Sequence, residues 1–125
     1  VDEEKACLID QLSYIKEINN NFLVVGPKDY GYNINMPFKK KDYEFKARVS
    51  DDIIEFNNFL NDLIPDQKFI DLIDLLEEEE NFLPLFTPNR KLMTTDKKHF
   101  TPHGSKYAGK ILFDYLELQN IYKIQ

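Results

Sequence analysis

Residues 94–112, TTDKKHFTPHGSKYAGKIL, hold both histidines of the chain, His99 and His103, with an acid, Asp96, three residues ahead of the first. A histidine that acts as a base needs a partner on its other ring nitrogen. That partner fixes the tautomer and stabilises the imidazolium as it forms. An aspartate three residues earlier, on a tight loop, can bend back to that nitrogen. Thr101 and Pro102 then read as a helix start, with Thr as N-cap and Pro at the first helical position, where its missing N–H is not needed. Such a helix would hold the loop rigid, and Gly104 early in it permits close backbone approach. Asp96 and His99 are therefore the candidate catalytic residues, as orienting acid and general base.

A nucleophile is harder to find. The serines are Ser13, Ser50 and Ser105. Ser13 falls on a helix, Ser50 is explained as an N-cap, and Ser105 lies inside the last helix. The single cysteine, Cys7, has no motif around it and is expected to be a small core residue. One cysteine also excludes a disulfide framework or a cysteine metal cluster within the chain. A metal site at Asp96, His99 and His103 is a lesser alternative, because histidines four apart can share a metal. Thr101 and Pro102 set a helix start between the two, so they would not share a regular helical face. His103 is expected simply to be exposed.

The elements must position this pair. The chain has 125 residues, the size of one domain, and its 42% hydrophobic and 30% charged content suits a globular protein. A net charge of −6 argues against a nucleic-acid partner, which would need a basic footprint. The basic cluster Lys39-Lys40-Lys41 is followed by Asp42 and Glu44 and reads as a solvated loop. The acidic run at 77–80 reads as a solvated turn or helix start. No apolar run approaches the roughly 18 residues that span a membrane. No signal segment is visible, and cysteine usage fits a cytoplasmic or a disulfide-free periplasmic protein equally. Because the chain opens on Val1 and passes directly into helical pattern, an upstream segment is expected.

Residues 2–18 predict a helix, with acids in the first turn and Leu8, Leu12 and Ile15 on one stripe. FLVV at 22–25, stopped by Gly26-Pro27, predicts a strand buried on both faces. Residues 43–49 fit a strand or a turn of helix. Residues 51–64 predict a helix capped by Ser50, with Pro65 just beyond. KFIDLIDLL at 68–76 predicts a second buried strand, or a strand running into a turn. Residues 81–93 read as a Pro-broken connection. The last helix runs from Thr101 to near Leu118, with Tyr107, Ala108, Ile111, Leu112 and Tyr115 on one face. Alternating helices and strands imply an α/β fold with a parallel sheet. Two confident strands are too few for a covered parallel sheet, so the chain is expected to be the C-terminal part of a larger domain.

The C-terminal block resembles the SGNH (GDSL-type) hydrolases and acyltransferases. Their last motif is Asp-x-x-His, an apolar or small residue, Ser or Thr, two variable residues and Gly. Asp96, His99, Phe100, Thr101 and Gly104 fall at those positions, while KFIDLIDLL and LVVGP resemble the fifth and fourth strands. The resemblance covers most of residues 8–116. It implies a flavodoxin-like, three-layer α/β/α domain and catalysis without a cofactor or metal. The family's Gly-Asp-Ser nucleophile block and its Gly and Asn oxyanion residues are not in this sequence. The resemblance thus implies that the serine sits on an N-terminal half of the domain, in the same or another chain. The implied reaction is attack of that serine on an ester, with His99 taking its proton and water or a sugar hydroxyl resolving the acyl-enzyme. The substrate class implied is a small-molecule ester or acylated bacterial carbohydrate.

Overall fold

The computed structural model describes residues 2–31, 43 and 45–119. The first helix, α1, spans Asp2–Ile18, with Asp2, Glu3 and Glu4 at its positive end. Its last turn closes through Asn19, whose amide bonds the Ile15 carbonyl (2.9 Å) and whose side chain accepts from the Asn21 amide (2.8 Å). Leu8 and Leu12 pack on a small cluster of Leu60, Ile64 and Phe69. Ile15, expected on the same stripe, is 41% exposed, so the helix leans on the body through its first half. Cys7 is exposed, not a core residue, because it lies off that stripe.

Strand β1, Val24–Val25, pairs in parallel with β3, Phe69–Ile70. The two are joined through helix α2, Asp51–Leu63, which makes the connection a parallel crossover of the kind a helix usually supplies. β1 is not buried on both faces as expected. Val24 packs on the cluster of Leu60, Ile64 and Phe69, while Val25, which points to the opposite face, is 48% exposed. Ser50 does stand at the N-cap of α2 with extended backbone, but its hydroxyl makes no capping bond.

The second sheet departs most from the sequence reading. Lys46–Arg48 forms β2, and it pairs antiparallel with β4, Phe82–Pro84. The described strands thus form one parallel pair and one antiparallel pair, a mixture of helix and strand in which no single parallel sheet is seen. The segment read as a Pro-broken connection contains β4 and then folds back, with Phe86 bridging Leu92. Pro84 is tolerated because it ends its strand in a two-stranded sheet, where a lost ladder N–H matters little. Ladder-like bonds continue beyond it, from Leu85 to Phe45 (3.1 Å) and from Met93 to Leu85 (2.8 Å). Leu83, Leu85 and Met93 are completely buried, each contributing about 1.5–3 kcal/mol of apolar burial.

Between β3 and β4, Leu72–Leu76 forms a short helix, α3, rather than more strand. Asp71 caps it by accepting from the Asp74 amide (3.0 Å), and Leu72, Ile73 and Leu76 turn into the core. The acidic run that follows is an exposed turn, with Glu78 and Glu79 each near Lys46 (3.8 and 3.7 Å). The cluster Lys39-Lys40-Lys41 lies outside the described residues. The last helix, α4, spans Pro102–Leu118 and packs on α3 through Ala108 and its neighbours. No helix among the described residues is long and apolar enough to cross a membrane.

Candidate active site

The loop that carries Asp96 and His99 is pinned at both ends. Thr94 and Phe100 form an antiparallel bridge at its neck. Behind the neck, the Thr101 amide donates to the Met93 carbonyl (2.9 Å), and its hydroxyl donates to the Leu92 carbonyl. The same hydroxyl oxygen accepts from the Gly104 amide (2.9 Å), which is the N-cap bond expected from the sequence. Gly104 then sits directly against the Met93 backbone, where a Cβ would meet the Met93 carbonyl oxygen and lie 2.9 Å from its Cα. The helix start and the Met93 backbone are thus in contact, and the loop between them is short and closed.

Within the loop, Lys97 adopts a left-handed conformation (φ 76°). Non-glycine residues rarely do so, and the turn it makes points the next two amides back at Asp96. Asp96 Oδ1 accepts from the Lys98 amide (2.9 Å) and the His99 amide (2.8 Å). Its other oxygen, Oδ2, lies 2.6 Å from His99 Nδ1. The amide and imidazole hydrogen bonds, those from His99 foremost, hold the Asp96 carboxyl well below the usual carboxylate range. An ionised carboxylate only accepts, so Nδ1 carries the hydrogen and, in the neutral ring, Nε2 is left as the basic nitrogen. The His99 side chain is 84% exposed, which leaves Nε2 open to an incoming hydroxyl.

The loop after β1 supports this dyad from the side. The Tyr30 amide donates to the Lys97 carbonyl (3.0 Å), and Tyr30 is fully buried beneath. Gly31, the next residue, lies against the backbone of residues 48–50, where a Cβ would meet the Arg48 carbonyl and lie 3.1 Å from the Ser50 amide nitrogen. The Lys28 ammonium lies over the Phe100 ring, 4.5 Å from its centre. Asp96 and His99 therefore stand beside the segment that leaves the carboxyl end of a parallel strand, where open α/β sheets gather reacting groups.

The other candidates stay apart. The side-chain hydrogen bond of His99 is to Asp96, and no hydroxyl of Ser13, Ser50 or Ser105 bonds to it. Ser105 is exposed in the first turn of α4, and Ser13 lies on α1. His103 is exposed at the second position of α4, and no three His, Cys, Asp or Glu groups among the described residues converge as metal ligands. The sequence reading missed Lys28, Tyr30 and Thr94. Thr94 is fully buried, and its hydroxyl lies 3.3 Å from Asp96 Oδ1. No local pattern marks Lys28 or Tyr30, because a contact across about 70 positions leaves no spacing to read.

Compared with protein-family models, with curated proteins and with solved structures, the chain matches none.

Proposed function

We propose that Asp96 and His99 are two members of a Ser-His-Asp triad in a serine-dependent ester hydrolase or O-acyltransferase acting on O-acyl groups of a bacterial carbohydrate. The observation that carries this reading is the 2.6 Å contact between Asp96 Oδ2 and His99 Nδ1, made while two backbone amides hold the other carboxylate oxygen. That arrangement fixes both the tautomer and the direction of Nε2, as a general base requires. The SGNH resemblance supplies the reaction class. Support for a flavodoxin-like C-terminal portion comes from β1 and β3, which are parallel neighbours in the order expected of its fourth and fifth strands. The serine belongs to the part of the domain that carries the Gly-Asp-Ser block, in the same or another chain.

The reaction would run in two halves. The serine Oγ attacks the ester carbonyl while His99 Nε2 takes its proton. Collapse of the tetrahedral intermediate expels the alcohol, which receives that proton from His99, and leaves an acyl-serine. Water or a sugar hydroxyl then attacks the acyl-serine, with His99 again accepting and returning the proton. Asp96 keeps its charge throughout and stabilises the imidazolium.

The test is hydrolysis of p-nitrophenyl acetate by the protein that joins these residues to its serine. His99→Ala is expected to lower kcat/KM by roughly 10³-fold or more, because triad members act as a unit. A rate unchanged by His99→Ala refutes the assignment. A second reading, a non-catalytic interaction protein that keeps the end of the fold, is favoured by the lack of any serine at His99 among residues 2–31, 43 and 45–119. A protein that joins both halves, folds and shows no ester turnover would establish it instead.

A further inference from the structure

We propose that Lys28 makes this site selective for a substrate that carries an acidic group (carboxylate, phosphate or sulfate) close to the ester; this inference rests on the ester chemistry proposed above. Lys28 leaves the carboxyl end of β1 just after Gly26-Pro27, and its ammonium is held over the face of Phe100, the residue next to His99. The chain before it is fixed by the Gly26 amide, which donates to the Ile70 carbonyl (2.8 Å), and the chain after it by the Tyr30–Lys97 backbone bond and by the Asp29 carboxylate, which accepts from the Gly31 amide (2.7 Å). The cation is therefore placed by the fold beside the dyad, and a mobile surface lysine would not be.

Two carboxylates face it, Asp96 and Asp29. Each attracts the ammonium, yet burial outweighs them and pushes the Lys28 amine below its ordinary range. Neither makes an ion pair with it, because Asp96 is committed to His99 and to two amides and Asp29 to its own turn. Among the described residues Lys28 has an aromatic face beneath it and no carboxylate or carbonyl partner for its three N–H donors. A partly desolvated ammonium with open donors is unfavourable alone and favourable once an anion arrives. A wholly structural lysine at this position would be expected to close on Asp96. The shared chemistry of the ligand is a compact oxyanion within reach of a group bound at His99.

The experiment has one arm that needs no catalysis. Inorganic phosphate, sulfate and acetate are titrated separately into the protein at constant ionic strength, and backbone amide shifts are followed by NMR. Saturable shifts are expected at Lys28, Asp29 and Phe100 for at least one anion. They should weaken at least tenfold in Lys28→Met and return in Lys28→Arg, which keeps a cation. The three salts separate the carboxylate, phosphate and sulfate sources. No saturable shift, or the same affinity in Lys28→Met, overturns the proposal. The second arm compares p-nitrophenyl acetate with mono-p-nitrophenyl succinate. Lys28→Met is expected to raise KM for the succinate at least tenfold more than KM for the acetate. Equal effects on both esters overturn the proposal and leave the esterase reading standing. Anion binding without turnover of either ester overturns the esterase reading and keeps the anion site.

Discussion

Gly104→Ala tests whether the backbone contact between α4 and Met93 is what holds the candidate site in shape. A methyl at Gly104 would lie 2.9 Å from Met93 Cα and 3.0 Å from its carbonyl carbon, with the carbonyl oxygen closer still. A relaxed carbon–carbon contact is about 3.5–4.0 Å, so the helix must retreat by more than half an ångström, and the obstacle is backbone that cannot rotate away. Overpacking of this kind typically destabilises by about 1–3 kcal/mol. The same change lowers the intrinsic unfavourable propensity of glycine in a helix by up to ~1 kcal/mol, less at the first turn. The net expectation is a loss of about 1–2 kcal/mol, read as a fall of several degrees in the thermal midpoint or as a shifted urea midpoint with unchanged slope. Gly109 provides the internal control, because a Cβ there meets nothing within 4 Å. Gly109→Ala should therefore stabilise by up to ~1 kcal/mol through propensity alone. The two substitutions on one helix are expected to have opposite signs. Equal stabilisation by both would show that Met93 does not crowd Gly104. Retreat of the helix should also loosen the Thr101–Met93 and Thr94–Phe100 links, and so broaden the Asp96–His99 loop amides in NMR spectra.

Further outcomes are expected. Asp96→Asn should reduce ester turnover by roughly 10³–10⁴-fold, because the amide no longer enforces the Nδ1–H tautomer, while stability falls little; wild-type turnover would remove Asp96 from the mechanism. The folded-state pKa of Asp96 lies below its unfolded value, so its stabilising effect is present above about pH 4 and is lost as pH falls through the depressed folded value. The amides of Lys98 and His99 should shift on that acid limb, and Asp96→Asn should abolish that acid-limb shift. Thr101→Ala removes the oxygen that accepts from Gly104 and the hydroxyl that reaches Leu92, and should lower stability by about 0.5–2 kcal/mol in urea unfolding. Leu83→Ala, at a fully buried position on β4, should lower it by about 2–5 kcal/mol and thereby distinguish core strand from surface connection.

The misreadings share a cause. FLVV was expected to be buried on both faces because an unbroken apolar run suits that environment, but burial also needs an element packed over each face, which a run cannot specify. By apolarity Phe69-Ile70 and Leu72-Ile73 fitted either one strand or a strand running into a turn. Asp71 decides for the second, since a capping carboxylate ends the extended segment and starts a turn of helix. The span 81–93 looked like a connection because of its prolines. The hydrogen-bonding partner that makes Phe82–Pro84 a strand is Lys46–Arg48, and the spacing between them follows no local period.

Sequence by itself determined the parts governed by short range: the N-cap at Thr101, the proline that starts α4, and the Asp-x-x-His spacing that brings Nδ1 to a carboxylate. These depend on neighbours three or four residues apart, so residue type and spacing nearly suffice. Only the tertiary structure decided that β2 and β4 pair, that Gly104 rests on Met93, and that Lys28 and Tyr30 flank the dyad. Those contacts join segments separated by loops of arbitrary length, and the energies that select them come from burial and close packing across the whole fold.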